Sequence, residues 1–164
     1  GKEMTFEEYI EELSRQHPAI RHEVDEECHF SALADDTQSR LARTMKYPCV
    51  TVDTGDFDFS GQVGNVSMST ASSIMFLNHV RDTGSSKEVL AAFKNMKSIC
   101  LDFVKKMCRD KKKPEFRKVL ARFTLVGSEG RRVYFKDAGL YGYVLFINTD
   151  EPFSDADCEH VFKD

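Results

Sequence analysis

The chain has 164 residues, with 23 basic and 27 acidic side chains and a formal net charge of -4. That length suits one domain that buries roughly 70% of its surface on folding. The charge balance argues against a general nucleic-acid binder, which carries a basic face. No run of about 18 apolar residues is present, so no membrane-spanning helix is expected.

The N-terminus lacks the basic-then-apolar pattern of a signal peptide. The five cysteines, Cys28, Cys49, Cys100, Cys108 and Cys158, are odd in number and contain no CxxC. A reducing, cytoplasmic compartment fits them better than a disulfide framework.

In chain order, the first element is a helix from Thr5 to Gln16. Phe6, Tyr9, Ile10 and Leu13 form one apolar stripe, Thr5 and Glu8 fit a capping box, and Pro18 ends the helix. Residues 20–44 read as loops with a short helix or strand, anchored by Phe30, Leu33, Leu41 and Met45, with Ser39–Met45 as the helix candidate. After Pro48, Val50 and Val52 begin a strand. Phe57 and Phe59 alternate with Asp56, Asp58 and Ser60, the pattern of a half-exposed strand or an extended arm. Gly61–Ser69 reads as a loop, and Ala71–Val80 as a second strand broken by Asp82-Thr83-Gly84-Ser85.

A long helix follows, from about Lys87 to Arg109, with Ser85 and Glu88 as its capping box. Val89, Phe93, Met96, Cys100, Phe103 and Met107 recur at spacings of four and three, a stripe suited to packing on a sheet. Three more strands are expected, at Val119–Val126, Arg131–Lys136 and Leu140–Asn148, with Gly127–Gly130 as a hairpin turn. Both faces of the last strand are apolar, which places it at the sheet centre or in an interface. The chain therefore reads as α+β: a mainly antiparallel sheet, one long helix across a face, and an amphipathic N-terminal helix. The domain is expected over residues 1–150, followed by an acidic tail over 151–164.

The residues offer little chemistry. Cys28/His29, Cys158/His160 and His17/His22 match no zinc spacing, so no metal and no cofactor is expected. Cys100 and Cys108 read as small core hydrophobes. Asp53, Asp56 and Asp58 lack the EF-hand pattern and read as a solvated face. Cys49 and His79 form the one pairing with catalytic potential, but neither stands in a nucleophile-elbow context, and no catalytic residue is assigned. The basic run Arg109–Lys113 suits a helix C-terminus. Arg131 and Arg132 open a strand, where either can pair with an acid across the sheet or across a subunit boundary.

Four stretches carry a resemblance: Tyr47-Pro48-Cys49-Val50-Thr51-Val52; Ile74–Val80 with Arg81-Asp82; the helix with Ile99, Cys100, Phe103 and Met107; and Leu140-Tyr141-Gly142-Tyr143-Val144-Leu145-Phe146-Ile147. Over residues 1–148 the chain resembles small phage and prophage structural proteins of the tail-terminator and head–tail-joining kind, with a Bacteroidetes-like flavour. The likeness is one of element order and apolar placement. It implies a non-catalytic homo-oligomeric ring, often of six subunits, that caps or joins a tail tube and meets other virion tail or connector proteins. It also implies a location in the bacterial cytoplasm and then the virion, with no membrane and no sequence-specific nucleic-acid partner. The acidic tail departs from the family pattern. On this reading Phe57, Phe59, Arg131 and Arg132 are the interface candidates; for Phe57 and Phe59 the simpler expectation is burial in the chain's own core. Two other classes compete: a small ligand-binding or enzymatic domain using Cys49, His79 and nearby aspartates, and a regulatory interaction module using its acidic tail.

Overall fold

A computed structural model of the protein describes residues 4–23, 29–32, 45–121, 123–154 and 161–162. The elements in order are α1 (Phe6–Gln16), β1 (Phe30–Ala32), β2 (Cys49–Gln62), β3 (Asn65–His79), α2 (Ser86–Asp110), β4 (Glu129–Phe135) and β5 (Leu140–Pro152). Among the described residues they make an α+β fold: one five-stranded mixed sheet, ordered β1-β2-β3-β5-β4, and two helices. β1 runs parallel to β2, and the other three pairings are antiparallel.

Both helices form where their local signals lie. The Thr5 hydroxyl accepts the Glu8 N–H at 3.1 Å, and the Glu8 carboxylate accepts the Thr5 N–H at 3.3 Å, completing the capping box of α1. The Ser85 hydroxyl accepts the Glu88 N–H at the start of α2, but the Ser85 N–H donates to the Asp82 carbonyl at 3.0 Å, so the expected capping box is made only by half. The 25 residues of α2 extend about 37 Å. No helix among the described residues is long and apolar enough to cross a membrane.

The main core lies between the helices and one face of the sheet. It joins Tyr9, Ile10 and Leu13 of α1, Met96 and Phe103 of α2, and Val50, Ile74, Phe76 and Leu145 of the sheet. Phe103 meets Phe76 edge-on, with ring centroids 4.9 Å apart. A smaller cluster of Met45, Cys49, Leu77 and Leu140 lies on the opposite face, because neighbouring strand positions alternate sides.

The structure corrects several sequence expectations. Gly61–Ser69 is not a loop: β2 and β3 run into a two-residue turn at Val63-Gly64 and pair from Gln62↔Asn65 downward. Glycine at 61 and 64, both at positive φ, reads as loop, yet here it makes a tight hairpin end. Val119–Val126 is not a strand. Pro114–Phe116 forms a 3-10 turn, and the following backbone bonds (Leu120 N–H to Phe116 O, Phe123 N–H to Leu120 O) keep the chain coiled. Leu120 and Phe123 enter the core while Leu125 and Val126 stay exposed. Gly127–Gly130 is consequently no hairpin turn, since β4 begins at Glu129 without a strand before it. Among the described residues the element order is thus helix, three strands, helix, two strands. β5 continues to Pro152, so the acidic segment begins inside a strand. Leu33, Leu41 and the Ser39–Met45 helix candidate as far as Thr44 lie outside the described residues.

β5 sits between β3 and β4, and Gly142 stands opposite Leu77 of β3. A Cβ there meets the Phe76 carbonyl oxygen at 1.7 Å, a contact that only strand separation relieves. Gly142→Ala should therefore cost about 3 kcal/mol, the upper range for overpacking; urea unfolding monitored by circular dichroism measures it.

Candidate functional site

The sheet does not end where its core ends. β2 is buried from Cys49 to Val52 and mostly exposed from Asp53 onward, while its pairing with β3 continues through Gln62. The segment Thr54–Gln62 thus forms an arm of about 30 Å, supported by β3 and by the end of β5.

A bulge decides which side chains share a face on this arm. Val50, Val52 and Thr54 stand opposite Phe76, Ile74 and Ser72. The register then shifts at Gly55, so that Phe57 and Phe59 stand opposite Thr70 and Met68. Directly paired residues share a face, so Phe57 and Phe59 lie on the helix side of the sheet. Without the extra residue, Asp56 and Asp58 would take that side. No described helix covers the rings. Phe57 is 63% and Phe59 51% exposed, which overturns the expectation that they enter the chain's own core.

The rings instead meet one another. Phe57 and Phe59 lie 5.9 Å apart, and Phe59 meets Phe153 at 4.9 Å, both edge-on. The Phe153 N–H donates to the Val66 carbonyl at 2.9 Å, which extends the ladder past β5. Phe59, Val63, Val66 and Phe153 line an open groove of about 590 Å³ at the arm's tip. Asp53, Asp56 and Asp58 are all exposed. Sequence reading missed Phe153, which lies in the segment expected to be an acidic tail.

Arg131 and Arg132 sit on β4 at the other edge of the sheet, not beside the phenylalanines. They point to opposite faces. Arg132 lies 4.5 Å over the Phe93 ring of α2, and its Nε donates to the Tyr143 hydroxyl at 3.4 Å. Arg131 lies on the far side, 5.9 Å over Phe146, with its Nε donating to Glu129 at 2.8 Å. Tyr134 stacks on Tyr141 and is largely exposed.

The remaining candidate chemistry is structural. Cys49 stands opposite Leu77, two residues from His79 along the same face. Burial pushes its thiol up to about 12, so it stays protonated and weakly nucleophilic at neutral pH. His79 is exposed and packs against Tyr47. Burial pushes Cys100 up to about 11, in keeping with a core role. Among the described residues no group of three His, Cys, Asp or Glu side chains could hold a metal ion. His17 contacts Asp102 at 2.9 Å and His22 contacts Glu11 at 3.2 Å; the first joins α1 to α2. Cys28, Cys158 and His160 lie outside the described residues.

One buried polar cluster escaped the sequence reading. Asp110, 1% exposed, ends α2 and accepts the Tyr9 hydroxyl at 2.9 Å, with Lys106 at 3.1 Å and Lys113 at 3.2 Å. An acid at a helix C-terminus opposes the macrodipole. Its place within Arg109–Lys113 was the available signal that it has a specific partner. Burial acts to raise the Asp110 carboxyl, but the Tyr9 hydroxyl and the two ammonium groups outweigh it and hold the group below its ordinary value. Burial and then the Asp110 hydrogen bond push the Tyr9 hydroxyl upward.

A scan against protein-family models finds no match, and a search of curated proteins finds no similar sequence.

The Asp110 cluster has a defined pH signature. A carboxyl lowered on folding contributes stability above its unfolded value, about 3.9, and loses it as pH falls through the lower native value. Stability should therefore drop in acid below about pH 4, and Asp110→Asn should flatten that limb while lowering stability at pH 7. Tyr9→Phe should cost about 2 kcal/mol, since it removes a hydrogen bond to a charged group. Urea titrations from pH 3 to pH 7 test both.

Proposed function

We propose that this chain is a self-assembling structural protein of a phage tail or head–tail connector, a ring-forming component of the tail-terminator kind. One observation carries the reading: Phe57, Phe59 and Phe153 are held together outside the core on an extended arm. A cluster of exposed aromatic rings on a rigid platform marks a protein-binding surface. Loose loop residues can bury a stray ring at little cost; two paired strands cannot fold these rings back onto the core. The resemblance in element order and apolar placement supplies the phage context and the expectation of a ring with tail or connector neighbours.

The burial of Cys49 gives the competing enzymatic reading no activated nucleophile at that position. The assembled protein would act by shape, presenting one closed edge to a tail tube and needing no bound cofactor.

Phe57→Ser with Phe59→Ser is the direct test. Both side chains are largely exposed in the single chain, so the melting temperature should stay within about 3 °C of wild type. Concentration-dependent association, followed by sedimentation velocity and negative-stain imaging, should be lost. A wild-type protein that forms no rings at any concentration and none on isolated tail tubes overturns the proposal.

A further inference from the structure

We infer that the acidic outer edge of the β2 arm pairs with the basic outer edge of β4 on a second copy of this chain, extending the sheet from subunit to subunit. The inference rests on the self-assembly reading and names the surfaces that carry it.

Two edges of the sheet have stretches with no described partner. β1 pairs with β2 only at Val50, Thr51 and Val52. From Thr54 to Gln62 the described partners of β2 all lie on the β3 side, and the described partner of β4 is β5. Each edge therefore presents a row of backbone N–H and C=O groups with no ladder partner among the described residues. Such edges are templates for strand addition.

Direction and length agree. β2 and β5 both run antiparallel to β3, and β4 runs antiparallel to β5. A second copy placed alongside in the same orientation thus brings its β4 antiparallel to β2. β4 has 7 residues, and the free stretch Thr54–Gln62 is long enough to receive all of them.

The faces agree as well. In a continuous sheet, the helix-side residues of β2 meet the helix-side residues of β4. Those are Phe57 and Phe59 on the arm, and Arg132 and Tyr134 on β4, since Arg132 lies on the α2 residue Phe93 and Tyr134 on Tyr141. On the other side, Asp56 and Asp58 meet Arg131 and Val133. One antiparallel register sets Phe57 opposite Arg132 and Asp58 opposite Arg131 together. It places a guanidinium beside a ring on one face and an ion pair on the other.

Charge favours this pairing over one between two arms. No lysine or arginine occurs between Lys46 and Arg81, so two β2 arms repel through Asp56 and Asp58. β4 carries Arg131 and Arg132 against the single acid Glu129, which Arg131 contacts at 2.8 Å, so its net charge complements that of the arm. Charged edge strands ordinarily prevent pairing, but that protection needs like signs on both edges; opposite signs make the edges attract. A contact between two different surfaces is heterologous, and repeating it closes a ring or propagates a fibre.

The test uses two full-length variants, Asp58→Arg and Arg131→Asp, examined singly and mixed. Each alone sets like charges opposite one another in every copy-to-copy contact, and should weaken association at least about tenfold. Mixed in equal amounts they should assemble again. The arginine introduced on the arm of one variant then faces the aspartate introduced on β4 of the other, while the alternate contact joins the unchanged Asp58 and Arg131. Sedimentation velocity reads the mass, and circular dichroism confirms that each variant folds. If wild type assembles but the mixture stays monomeric, or if the single variants assemble like wild type, the edge pairing is wrong while self-assembly stands. If the arm instead captures only a different tail protein, and wild type stays monomeric up to about 1 mM, the second copy is the wrong occupant and the pairing is overturned.

Discussion

The pairing of β2 with β3 is the constraint on which the rest of the molecule depends. It runs from Cys49↔Leu77 to Gln62↔Asn65, nearly the full length of both strands. β3 then serves as the template for β5, from His79↔Leu140 to Ser67↔Pro152. The lower half of this three-stranded unit offers apolar positions that α1 and α2 cover. The upper half has no cover among the described residues and becomes the arm. Core and arm are therefore one continuous structure, and the arm is held by the same ladder of hydrogen bonds as the strands beneath it.

The bulge at Gly55 gives that structure its two characters. Strand parity is strict, so a single extra residue exchanges the faces of everything beyond it. Below the bulge, Val50 and Val52 turn toward the helices. Above it, Phe57 and Phe59 take the same side although their numbers have changed from even to odd. The apolar surface of the core is thereby prolonged past the last helix turn as an exposed ledge, and the aspartates are moved to the opposite face. The proposed assembly uses both consequences.

At the other end of the molecule, the helices are fastened by polar contacts as well as by the core. The Asp110 carboxylate joins α1 to α2 through Tyr9 and draws in Lys106 and Lys113. Thr54 donates to Glu7, tying α1 to the base of the arm. Lys111 donates to the Phe123 carbonyl, holding the coiled segment after α2 against the helix. Most of these contacts lie at the helix termini, where backbone groups lack partners within the helix, and they hold the base from which the arm projects.

Helix positions, caps and the apolar stripes of α1 and α2 were legible in the sequence because they depend on residues three or four apart. So were the start of β2, the body of β4 and the two apolar faces of β5. The α+β class follows from the same local signals. Tertiary structure alone decided the rest. It converted the glycine-rich Gly61–Ser69 from an expected loop into the end of a hairpin, because β2 and β3 pair along their whole length and carry the ladder up to the turn. It left Val119–Val126 out of the sheet, with Leu120 and Phe123 reaching the core through a coiled path. It brought Phe153 beside Phe59 and Tyr9 beside Asp110, contacts between residues far apart along the chain. Periodicity reports which side of its own element a residue occupies; only the packed chain shows what, if anything, covers that side.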